Sequence, residues 1–400
     1  MLDYPLALEQ LLAEALTRRT AVAERSLIDS RGHYLAQAIS AQHDMPQFDN
    51  SAMDGYALCL HDSEEQLSYR LIGRIAAGDS AEPIQLKLGQ AARIFTGAPI
   101  PHGCNAVIPQ ENTQTTGDEL VCLKAPKIND NIRRRGEDFA FGTEILPQGH
   151  LLTPAAIGLA AGQGYAALPV HRPLRVTVFS SGNELLEPSQ ALHSGAIYDA
   201  NRYQLITWLT ALHCEVRDGG ILPDDLVRTA EQLQQASSNS DLIITSGGAS
   251  VGEEDHLKAA ITRIGKLTQW KLAIKPGKPF AWGEIGHARV MMLPGNPVAT
   301  FVTFKMLVEP SLRVMMGAHP NQALAEPIMA RANFNAKKAD GRREFLRGIL
   351  WHDAQGIAHV DRMSNQGSHM LSACAQANCL IEVAAGVLVE QGQLLPVHII

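Results

Sequence analysis

Residues 241–256 constrain the fold of this chain more than any other stretch. The sequence Asp-Leu-Ile-Ile-Thr-Ser-Gly-Gly-Ala-Ser-Val-Gly-Glu-Glu-Asp-His predicts a buried strand, a loop of small residues from Ser246 to Gly252, and a helix that begins near Glu254. This order brings free backbone N–H groups to one point, which is how many folds bind a phosphate-like anion. The loop is neither a Walker A motif nor Gly-x-Gly-x-x-Gly. The acids behind it, especially Asp255, would repel a bare anion, which indicates a metal ion or a proton-transfer role.

Composition excludes several classes of protein. The chain has 400 residues, of which 46% are hydrophobic and 19% charged, and this predicts a globular protein of two to four domains. The net charge of −7 argues against broad binding of nucleic acid. The sequence shows no signal-peptide pattern and no run of the roughly 20 apolar residues that a membrane span needs. Six scattered cysteines without a Cys-x-x-Cys pair predict free thiols and a cytoplasmic location.

The segment 174–317 alternates predicted strands and helices, which indicates a parallel sheet covered by helices on both faces. The predicted strands are 175–180, 216–221, 242–245 and 290–293. The predicted helices are 201–212, 224–235, 254–264 and 298–315, with Asp224 as the N-cap of the second. On either side, short strands between 68 and 123 predict a small β domain, and strands from 325 to 400 predict a small barrel or sandwich. A helix is predicted near the N-terminus, with one apolar face formed by Leu8, Leu11, Leu12 and Leu16.

Polar and glycine-rich loops follow three of the predicted strands. They are Ser180-Ser181-Gly182-Asn183-Glu184, the loop after Thr245, and Leu293-Pro294-Gly295-Asn296-Pro297. Because parallel α/β sheets bind ligands at the carboxyl ends of their strands, these loops predict one shared ligand site. The segment Lys275-Pro276-Gly277-Lys278-Pro279 is either a solvated turn or a stiff loop that directs two cations toward an oxyanion or phosphate.

Three further motifs lie N-terminal to the α/β segment. Taken alone, Asn50–Ala57 indicates a turn, Arg93–Ala98 a strand end, and the basic-then-acidic run Arg133–Asp138 a solvated or inter-subunit face. Neither His-Glu-x-x-His nor Gly-x-Ser-x-Gly occurs in the sequence, which argues against a zinc protease and a serine hydrolase of the nucleophile-elbow type.

Seven motifs in order closely resemble one family, the molybdopterin molybdenumtransferases, which comprise bacterial MoeA-type proteins and the E domain of gephyrin. The resemblance covers essentially the whole chain, and Gly341–Arg347 and Asn365–Ser368 are also similar to the C-terminal domain of that family. The seven motifs are Asn50–Ala57, Phe95–Pro101, Arg133–Asp138, Ser181–Leu185, Thr245–Asp255, Lys275–Pro279 and Pro294–Pro297.

The resemblance implies a multi-domain α/β plus β fold and an elongated homodimer. It places an elongated N-terminal helical and linker domain at 1–43 and 129–172, and a small β domain at 44–128. An α/β molybdopterin-binding domain with a central parallel sheet follows at 173–318, and a C-terminal β-barrel domain at 319–400. In this family the small β domain of the partner subunit completes the active-site cleft.

The reaction implied by the resemblance consumes adenylated molybdopterin and molybdate. Molybdenum enters the dithiolene, the pyrophosphate link is hydrolysed, and AMP leaves, with Mg²⁺ as the expected divalent ion. Molybdopterin adenylyltransferase and other cofactor-maturation proteins are expected partners, whereas nucleic acid and membranes are not.

By motif match, the functional acids of the family and one threonine fall on Asp54, Thr96, Asp138, Glu184, Asp224 and Asp255. We expect Glu184 and Asp255 to bind the metal or orient water, because Mg²⁺ prefers oxygen ligands. Asp54 and Thr96 are expected to reach the site from the partner subunit. The glycine-rich loops are expected to hold phosphate or pterin and the lysines to meet molybdate or a phosphate. The expected substrate-binding residues are Ser246, Gly247, Gly248, Ser250, Lys275, Lys278, Pro294, Gly295, Asn296 and Pro297.

Two other functions stay open from the sequence. A molybdopterin adenylyltransferase shares the Thr-Ser-Gly-Gly type of loop, but such proteins resemble only residues 174–317, and here the resemblance extends to both ends. A non-catalytic scaffold or cofactor carrier is the second alternative. The presence of all five matched acids argues against it, since a carrier has no need of them.

Overall fold

The computed structural model describes residues 1–61, 66–80, 82–248, 256–336 and 339–400, and leaves aside the side chains of Gln269 and Trp270. The chain forms two compact units. The first comprises 1–37, 148–157 and 166–400, and the second 38–147 and 158–165. Residues 249–255, and with them the predicted site residues Ser250 and Asp255, lie outside the described residues. The four predicted domain boundaries stay a prediction.

A six-stranded sheet, here called the α/β sheet, lies at the centre of the first unit. Four strands are parallel and two at one edge are antiparallel. Their order across the sheet is Glu215–Leu222, Arg175–Ser181, Leu242–Ser246, Ala288–Leu293, Pro279–Ile285 and Lys266–Lys271. The predicted fold class is confirmed, but the sheet is mixed rather than purely parallel, because a hairpin over 266–285 adds the two antiparallel strands.

Helices pack on both faces of the α/β sheet, as predicted. Alternate residues of one strand show the two faces, since Ile243 packs with Leu233 whereas Ile244 packs with Leu205. The helices around this sheet are Tyr4–Leu16, Asn201–Ala211, Leu226–Ser237, His256–Ile264 and a continuous run of Pro297–Thr303, the π-helical turn Phe304–Val308 and Glu309–Met315. None of the described helices has the length and apolar content that a membrane span requires.

Two sequence predictions about these helices need correction. The N-cap prediction for Asp224 is wrong, because Asp225 precedes the helix and its Oδ1 accepts a hydrogen bond from the Arg228 N–H at 2.8 Å. The N-terminal helix buries Tyr4, Ala7, Leu11 and Ala15, while Leu16 is exposed. The buried face of this helix is therefore rotated from the predicted face, toward Ala7 and Ala15 and away from Leu16.

The C-terminal part of the first unit is a closed five-stranded barrel. Its strands, in their order around the barrel, are Arg343–His352, Ala358–Arg362, Ile328–Ala332, Leu394–Ile399 and Cys379–Val383. The pairing of Cys379–Val383 with Arg343–His352 closes the ring. A two-residue strand, Ile274–Lys275, pairs in parallel with Arg343 and Glu344 at the edge of this barrel. The helix Leu371–Gln376 precedes the strand Cys379–Val383.

The second unit contains a six-stranded sheet. Its strands, in order, are Ala106–Pro109, Gly55–Leu58, Gln90–Ile94, Ser68–Ile75, Glu119–Cys122 and Thr113–Thr116. Two short pairs accompany it, Ile39–Ser40 with Glu144–Leu146 and Asn50–Ser51 with Ile132–Arg133. Two further strand pairs lie outside this unit: Val22–Ser26 pairs with Ala167–His171, and Leu185–Leu186 pairs with Ile197–Tyr198. Pro154–Gly162 is a helix, and its Ala156 N–H donates to Thr153 Oγ1 at 3.2 Å.

A charged cluster holds the amino end of the α/β sheet. Asp241 accepts hydrogen bonds from Arg172 at 2.7 and 2.8 Å and from the Arg175 N–H at 2.9 Å. Burial alone would raise the pKa of Asp241, but these hydrogen bonds outweigh it and hold the pKa well below its ordinary range.

We expect Asp241→Asn to lose about 2–4 kcal/mol of unfolding free energy at neutral pH, because the substitution leaves two partly buried guanidinium groups without their counter-ion. The depressed pKa stabilises the fold above the ordinary carboxyl pKa of about 4, and the contribution disappears as pH falls through the folded-state value. Urea unfolding of both proteins between pH 7 and strong acid should therefore show the difference shrinking. Glu231→Gln, an exposed change in the same unit, is the control, and a difference that does not depend on pH would contradict the argument.

Candidate functional site

The three predicted loops meet at the carboxyl ends of the parallel strands. Asn201, the first residue of its helix, donates through Nδ2 to Ser246 Oγ and to the Gly295 carbonyl, both at 2.7 Å. The Gly247 N–H donates to the Leu293 carbonyl at 3.1 Å. A single buried amide therefore joins two strand-end loops, and the sheet register places the end of the strand Arg175–Ser181 beside them.

Gly247 and Gly248 occupy backbone conformations that favour glycine. Their φ angles are +92° and +67°. A Cβ on Gly247 would lie 2.3 Å from the Ser181 carbonyl oxygen, and one on Gly248 would lie 2.6 Å from Leu257 Cδ2. Gly247 thus lets the Ser181 backbone approach the strand end closely, and Gly248 lets the Leu257 side chain do so, as a tight glycine-rich loop requires.

The last predicted loop of the sheet turns directly into a helix. Pro297 is the first helical residue and Asn296 precedes it as the cap residue, without a side-chain capping bond. Thr300 Oγ1 donates to the Pro294 carbonyl at 2.5 Å, which ties the loop to the helix it begins. Pro294 and Pro297 shape the loop, while Gly295 meets Asn201.

Acidic side chains follow the strands Arg175–Ser181 and Glu215–Leu222. Asn183 Nδ2 donates to Asp224 Oδ2 at 2.5 Å, and His256 Nε2 lies 3.5 Å from Asp224 Oδ1. Glu184 is exposed, and its carboxylate lies over Gly182, where an added Cβ would be 2.6 Å from Oε2. Asp224 is thus a member of the strand-end site although it does not cap a helix, and His256 is exposed rather than packed.

Arg202 holds the loop that carries Glu184. Its side chain is 2% exposed and contacts three carboxylates. Nε donates to Asp199 Oδ2 at 3.0 Å, while the terminal nitrogens bind Asp218 and Glu187. The Glu184 carbonyl accepts from the Ile197 N–H at 2.7 Å. One buried cation therefore fixes both ends of the 184–199 loop against the helix that begins at Asn201.

The described residues offer oxygen ligands for magnesium but not a complete cage. Within the described ranges, no group of three or more His, Cys, Asp or Glu side chains could hold a metal ion. Asp255 lies outside those ranges. Glu184 has no side-chain partner among the described residues, so its carboxylate is available. Mg²⁺ is usually bound through one or two carboxylates together with substrate phosphates, and the donors present fit a metal that arrives with the substrate.

The two predicted lysines differ in their surroundings. Lys275 Nζ lies 2.9 Å from both Glu344 Oε1 and Asp340 Oδ2, and these hydrogen bonds raise the pKa of Lys275. Lys278 is exposed. Gly277 between them has a φ of +116°, and a Cβ there would lie 2.8 Å from Thr303 Oγ1. The loop is therefore a built structure packed against a helix, and not a solvated turn.

A cavity of about 260 Å³ lies beside Lys275 at the edge of the barrel. Its charged lining consists of three cations and two carboxylates, namely Lys275, Arg347, Arg362, Asp340 and Glu344. Arg347 is fully buried, has no carboxylate partner in the described chain, and leaves its Nε without a hydrogen bond. Burial accordingly lowers the pKa of Arg347. A buried guanidinium in this state, facing a cavity, is suited to an oxyanion.

Residues around Arg347 connect the barrel to the strand-end site. Gln366 binds the Arg347 backbone twice, accepting from its N–H at 3.1 Å and donating to its carbonyl at 2.9 Å. Ser368 lies two residues after Gln366, and its carbonyl accepts a hydrogen bond from the Val298 N–H at 3.0 Å. Val298 directly follows Pro297 in the chain. The sequence analysis noted Gly341–Arg347 and Asn365–Ser368 but did not assign Arg347. An arginine in the apolar part of its strand, between Leu346 and Ile349, is the signal that could have identified it.

In the second unit, Asp54 and Thr96 form a pair. Thr96 donates to Asp54 Oδ1 through its backbone N–H at 2.8 Å and its hydroxyl at 2.7 Å. The backbone hydrogen bond, followed by the hydroxyl, lowers the pKa of Asp54. Asp54 is therefore an exposed, ionised carboxylate whose second oxygen is free of these bonds.

Asp138 lies on a separate loop of the second unit. Its N–H donates to the Met45 carbonyl at 2.9 Å and its side chain is exposed. The basic run before it binds acids of the same unit, because Arg134 pairs with Asp49 at 2.6 Å and Arg135 pairs with Asp44. The run therefore fixes the loop on which Asp138 is carried.

Family comparisons cover almost all of the chain. Residues 3–164 match the MoeA N-terminal region (domain I and II), residues 177–314 match the family described as a probable molybdopterin binding domain, and residues 329–400 match the MoeA C-terminal region (domain IV).

Individual relatives agree with these family matches. The chain is 42% identical over 372 residues to a molybdopterin molybdenumtransferase of Haemophilus influenzae, covering 92% of this chain and 91% of the relative. It is 34% identical over 373 residues to molybdopterin molybdenumtransferase 2 of Mycobacterium tuberculosis, covering 90% and 91%. A crystal structure of the molybdopterin biosynthesis MoeA protein of Pyrococcus horikoshii superposes with a TM-score of 0.84 at 26% identity, covering 100% of both chains. The chain therefore belongs to the MoeA family, and the predicted resemblance is confirmed.

Proposed function

We propose that this protein is a molybdopterin molybdenumtransferase of molybdenum cofactor biosynthesis. It would insert molybdate into the dithiolene of adenylated molybdopterin, with hydrolysis of the pyrophosphate link and release of AMP. The observation that carries the proposal is the strand-end site of the α/β sheet, where Asn201 joins Ser246 and Gly295 within the segment that matches a molybdopterin binding domain.

The strand-end site would bind the phosphate and pterin part of the substrate. Gly247 and Gly248 let the loop pack closely against Ser181 and Leu257, and this conformation would hold backbone N–H groups at the strand end for an anion. Glu184 would hold Mg²⁺ together with Asp255, and the ion would neutralise phosphate charge during hydrolysis. Asn201 keeps the loops in register, so that the dithiolene end of the pterin is held in one orientation.

Molybdate would bind in the cavity beside Lys275. An oxyanion there would accept hydrogen bonds from Arg347, whose Nε lacks a partner, while Lys275 remains protonated because its carboxylate neighbours raise its pKa. Lys278, exposed on the same loop, would supply a further positive charge. The backbone bond between Val298 and Ser368 ties this cavity to the loop after the last parallel strand.

The first experiment measures AMP release from adenylated molybdopterin by the purified full-length protein with Mg²⁺, with and without molybdate. The proposal expects AMP release that depends on molybdate and is accompanied by formation of molybdenum cofactor. Tight binding of the substrate without molybdate-dependent AMP release would instead favour the carrier function.

Asp54 and Thr96 are proposed to complete the site of a partner protomer in a homodimer. If so, Asp54→Ala and Glu184→Ala should each be inactive alone, whereas dimers reassembled from an equal mixture should recover about a quarter of wild-type activity, since half of the dimers carry one intact site out of two. Activity that stays at the level of the single variants would contradict shared sites. An affinity tag of different mass on each variant lets native mass spectrometry establish that mixed dimers have formed.

Location and partners follow from the same proposal. The six cysteines are free thiols, which suits the reducing cytoplasm where we place the protein. A molybdopterin adenylyltransferase is the partner that would deliver the adenylated substrate.

A further inference from the structure

Two arginines and two aromatic rings form a compact group on the sheet of the second unit, here called the Arg–aromatic stack. The Arg74 and Arg93 guanidinium carbons lie 4.9 and 4.8 Å from the centroid of the Phe95 ring. Arg93 also lies 5.0 Å from the centroid of the Tyr56 ring. Register explains the grouping, because Arg93 is the cross-strand partner of both Arg74 and Tyr56.

The positive charges of the stack are only partly offset within the described chain, because Asp54 is near enough for Arg93 to lower its pKa, whereas Arg74 has no ion-pair partner there. Arg93 donates to the Gly55 carbonyl at 3.2 Å and to Gln110 Oε1 at 2.5 Å, which are neutral acceptors. Arg74 is exposed and makes no ion pair or hydrogen bond among the described residues. Within that part of the chain, the ring it contacts is that of Phe95. Two like charges are thus held together in a chain of net charge −7. Such an arrangement costs free energy unless an anion binds there.

The stack adjoins the Asp54–Thr96 pair. Phe95 directly precedes Thr96, and Tyr56 is two residues from Asp54 in the chain. The hydrogen bonds from Thr96 to Asp54 fix the turn at the end of the strand on which Arg93 lies. A ligand on the stack would therefore be next to an ionised carboxylate that the proposed function places at the reaction.

A group of planar guanidinium groups and aromatic rings can make two kinds of contact with a ligand. Their faces stack on a heterocyclic base, and the edges of the guanidinium groups donate to phosphate oxygens. A ligand that satisfies both is a purine mononucleotide, which has one planar base and one anionic phosphate. Inorganic phosphate uses only the charge, and a free nucleoside uses only the rings.

We infer that the Arg–aromatic stack is the subsite for the adenylyl group of the substrate, and for AMP as the product. This inference rests on the proposed function, because the substrate supplies the adenylyl group. It assigns Arg74 to the phosphate and Phe95 with Tyr56 to support of the base.

The test measures binding of AMP, adenosine and inorganic phosphate to the full-length protein by calorimetry. Wild-type protein should bind AMP more tightly than either fragment. Arg74→Ala should weaken AMP binding on the order of 10-fold, and Phe95→Leu, which keeps the packing, should weaken it several-fold. Arg70→Ala removes the same charge from the same strand at an exposed position with no ring contact, and it should leave AMP binding unchanged.

Kinetics separate this inference from the proposed function. Arg74→Ala should raise the KM for adenylated molybdopterin on the order of 10-fold with little change in kcat, because an exposed cation removed from a binding subsite affects binding and not chemistry. Equal AMP binding by wild type, Arg74→Ala and Arg70→Ala would overturn the subsite while leaving molybdate-dependent AMP release intact. Conversely, AMP binding that Arg74→Ala weakens would support a mononucleotide site even if wild-type AMP release proved independent of molybdate.

Discussion

Arg202→Met is expected to lower the free energy of unfolding by about 3–5 kcal/mol, because it leaves a buried carboxylate without its cation. Asp199 is 1% exposed and shares Arg202 with Glu187 and Asp218. Without the guanidinium group, the buried Asp199 carboxylate has no counter-ion, and the Glu187 and Asp218 carboxylates remain close to it. Urea denaturation of the first unit measures the loss. Molybdate-dependent AMP release should fall as well at a temperature where the variant is folded, since the loop carrying Glu184 loses its anchor.

A matched exposed variant and a double variant separate the charge effect from loss of packing. Arg217→Met changes the same residue type at an exposed position next to Asp218 and should cost well under 1 kcal/mol. Adding Asp199→Asn to Arg202→Met should recover part of the loss, because a neutral amide is cheaper to bury than a carboxylate. If Arg202→Met proved as stable as Arg217→Met, Arg202 would not be the anchor that the geometry indicates.

Arg347→Met is expected to raise the molybdate concentration needed for half-maximal AMP release by about 10- to 100-fold, since each charge-assisted hydrogen bond contributes roughly 1.5–3 kcal/mol. The same substitution should leave unfolding free energy unchanged or higher. The reason is that Arg347 is buried without a counter-ion, has an unpaired Nε, and makes only long side-chain hydrogen bonds of 3.3 and 3.4 Å. A neutral side chain of similar length removes this cost, and a residue that costs stability is expected where the structure serves binding.

Thermal unfolding and molybdate titration should be run on the same preparations. Arg331→Met, on an exposed position of a barrel strand, is the control and should change neither quantity. A large loss of stability in Arg347→Met with unchanged molybdate dependence would assign Arg347 to the architecture of the barrel and remove it from the oxyanion site.

Local pattern was sufficient to predict the strand-end site. Parallel strands end at one edge of a sheet, so polar loops after three of them had to converge, and Asn201, Ser246 and Gly295 lie within hydrogen-bonding distance there. Helix boundaries were less accurate, because Asp224 and Asp225 are adjacent acids and either can cap. The hairpin over 266–285 was missed since its strands gain their stability from pairing at a sheet edge, which a single strand does not reveal.

Tertiary contacts between distant parts of the sequence were beyond such reasoning. Lys275 meets Glu344 and Asp340, which are more than 60 residues away, and neither acid is marked by its local pattern. The burial of Arg347 depends on closure of the barrel around it. The Arg–aromatic stack likewise arises from strand register in the second unit. Residue identity indicated which groups were charged, but only the fold shows which charges lack a partner.

The pairing of Ile274–Lys275 with Arg343 and Glu344 has a consequence for modularity. This two-residue strand leaves the α/β sheet to join the barrel, and Phe345 and Leu380 of the barrel share an apolar cluster with Val302 of the α/β domain. A gene fragment that stopped between the two domains would expose that apolar surface and deprive Lys275 of both acids. The α/β domain of this chain is thus not an independent module, and fusing it to another protein would require the barrel to be included.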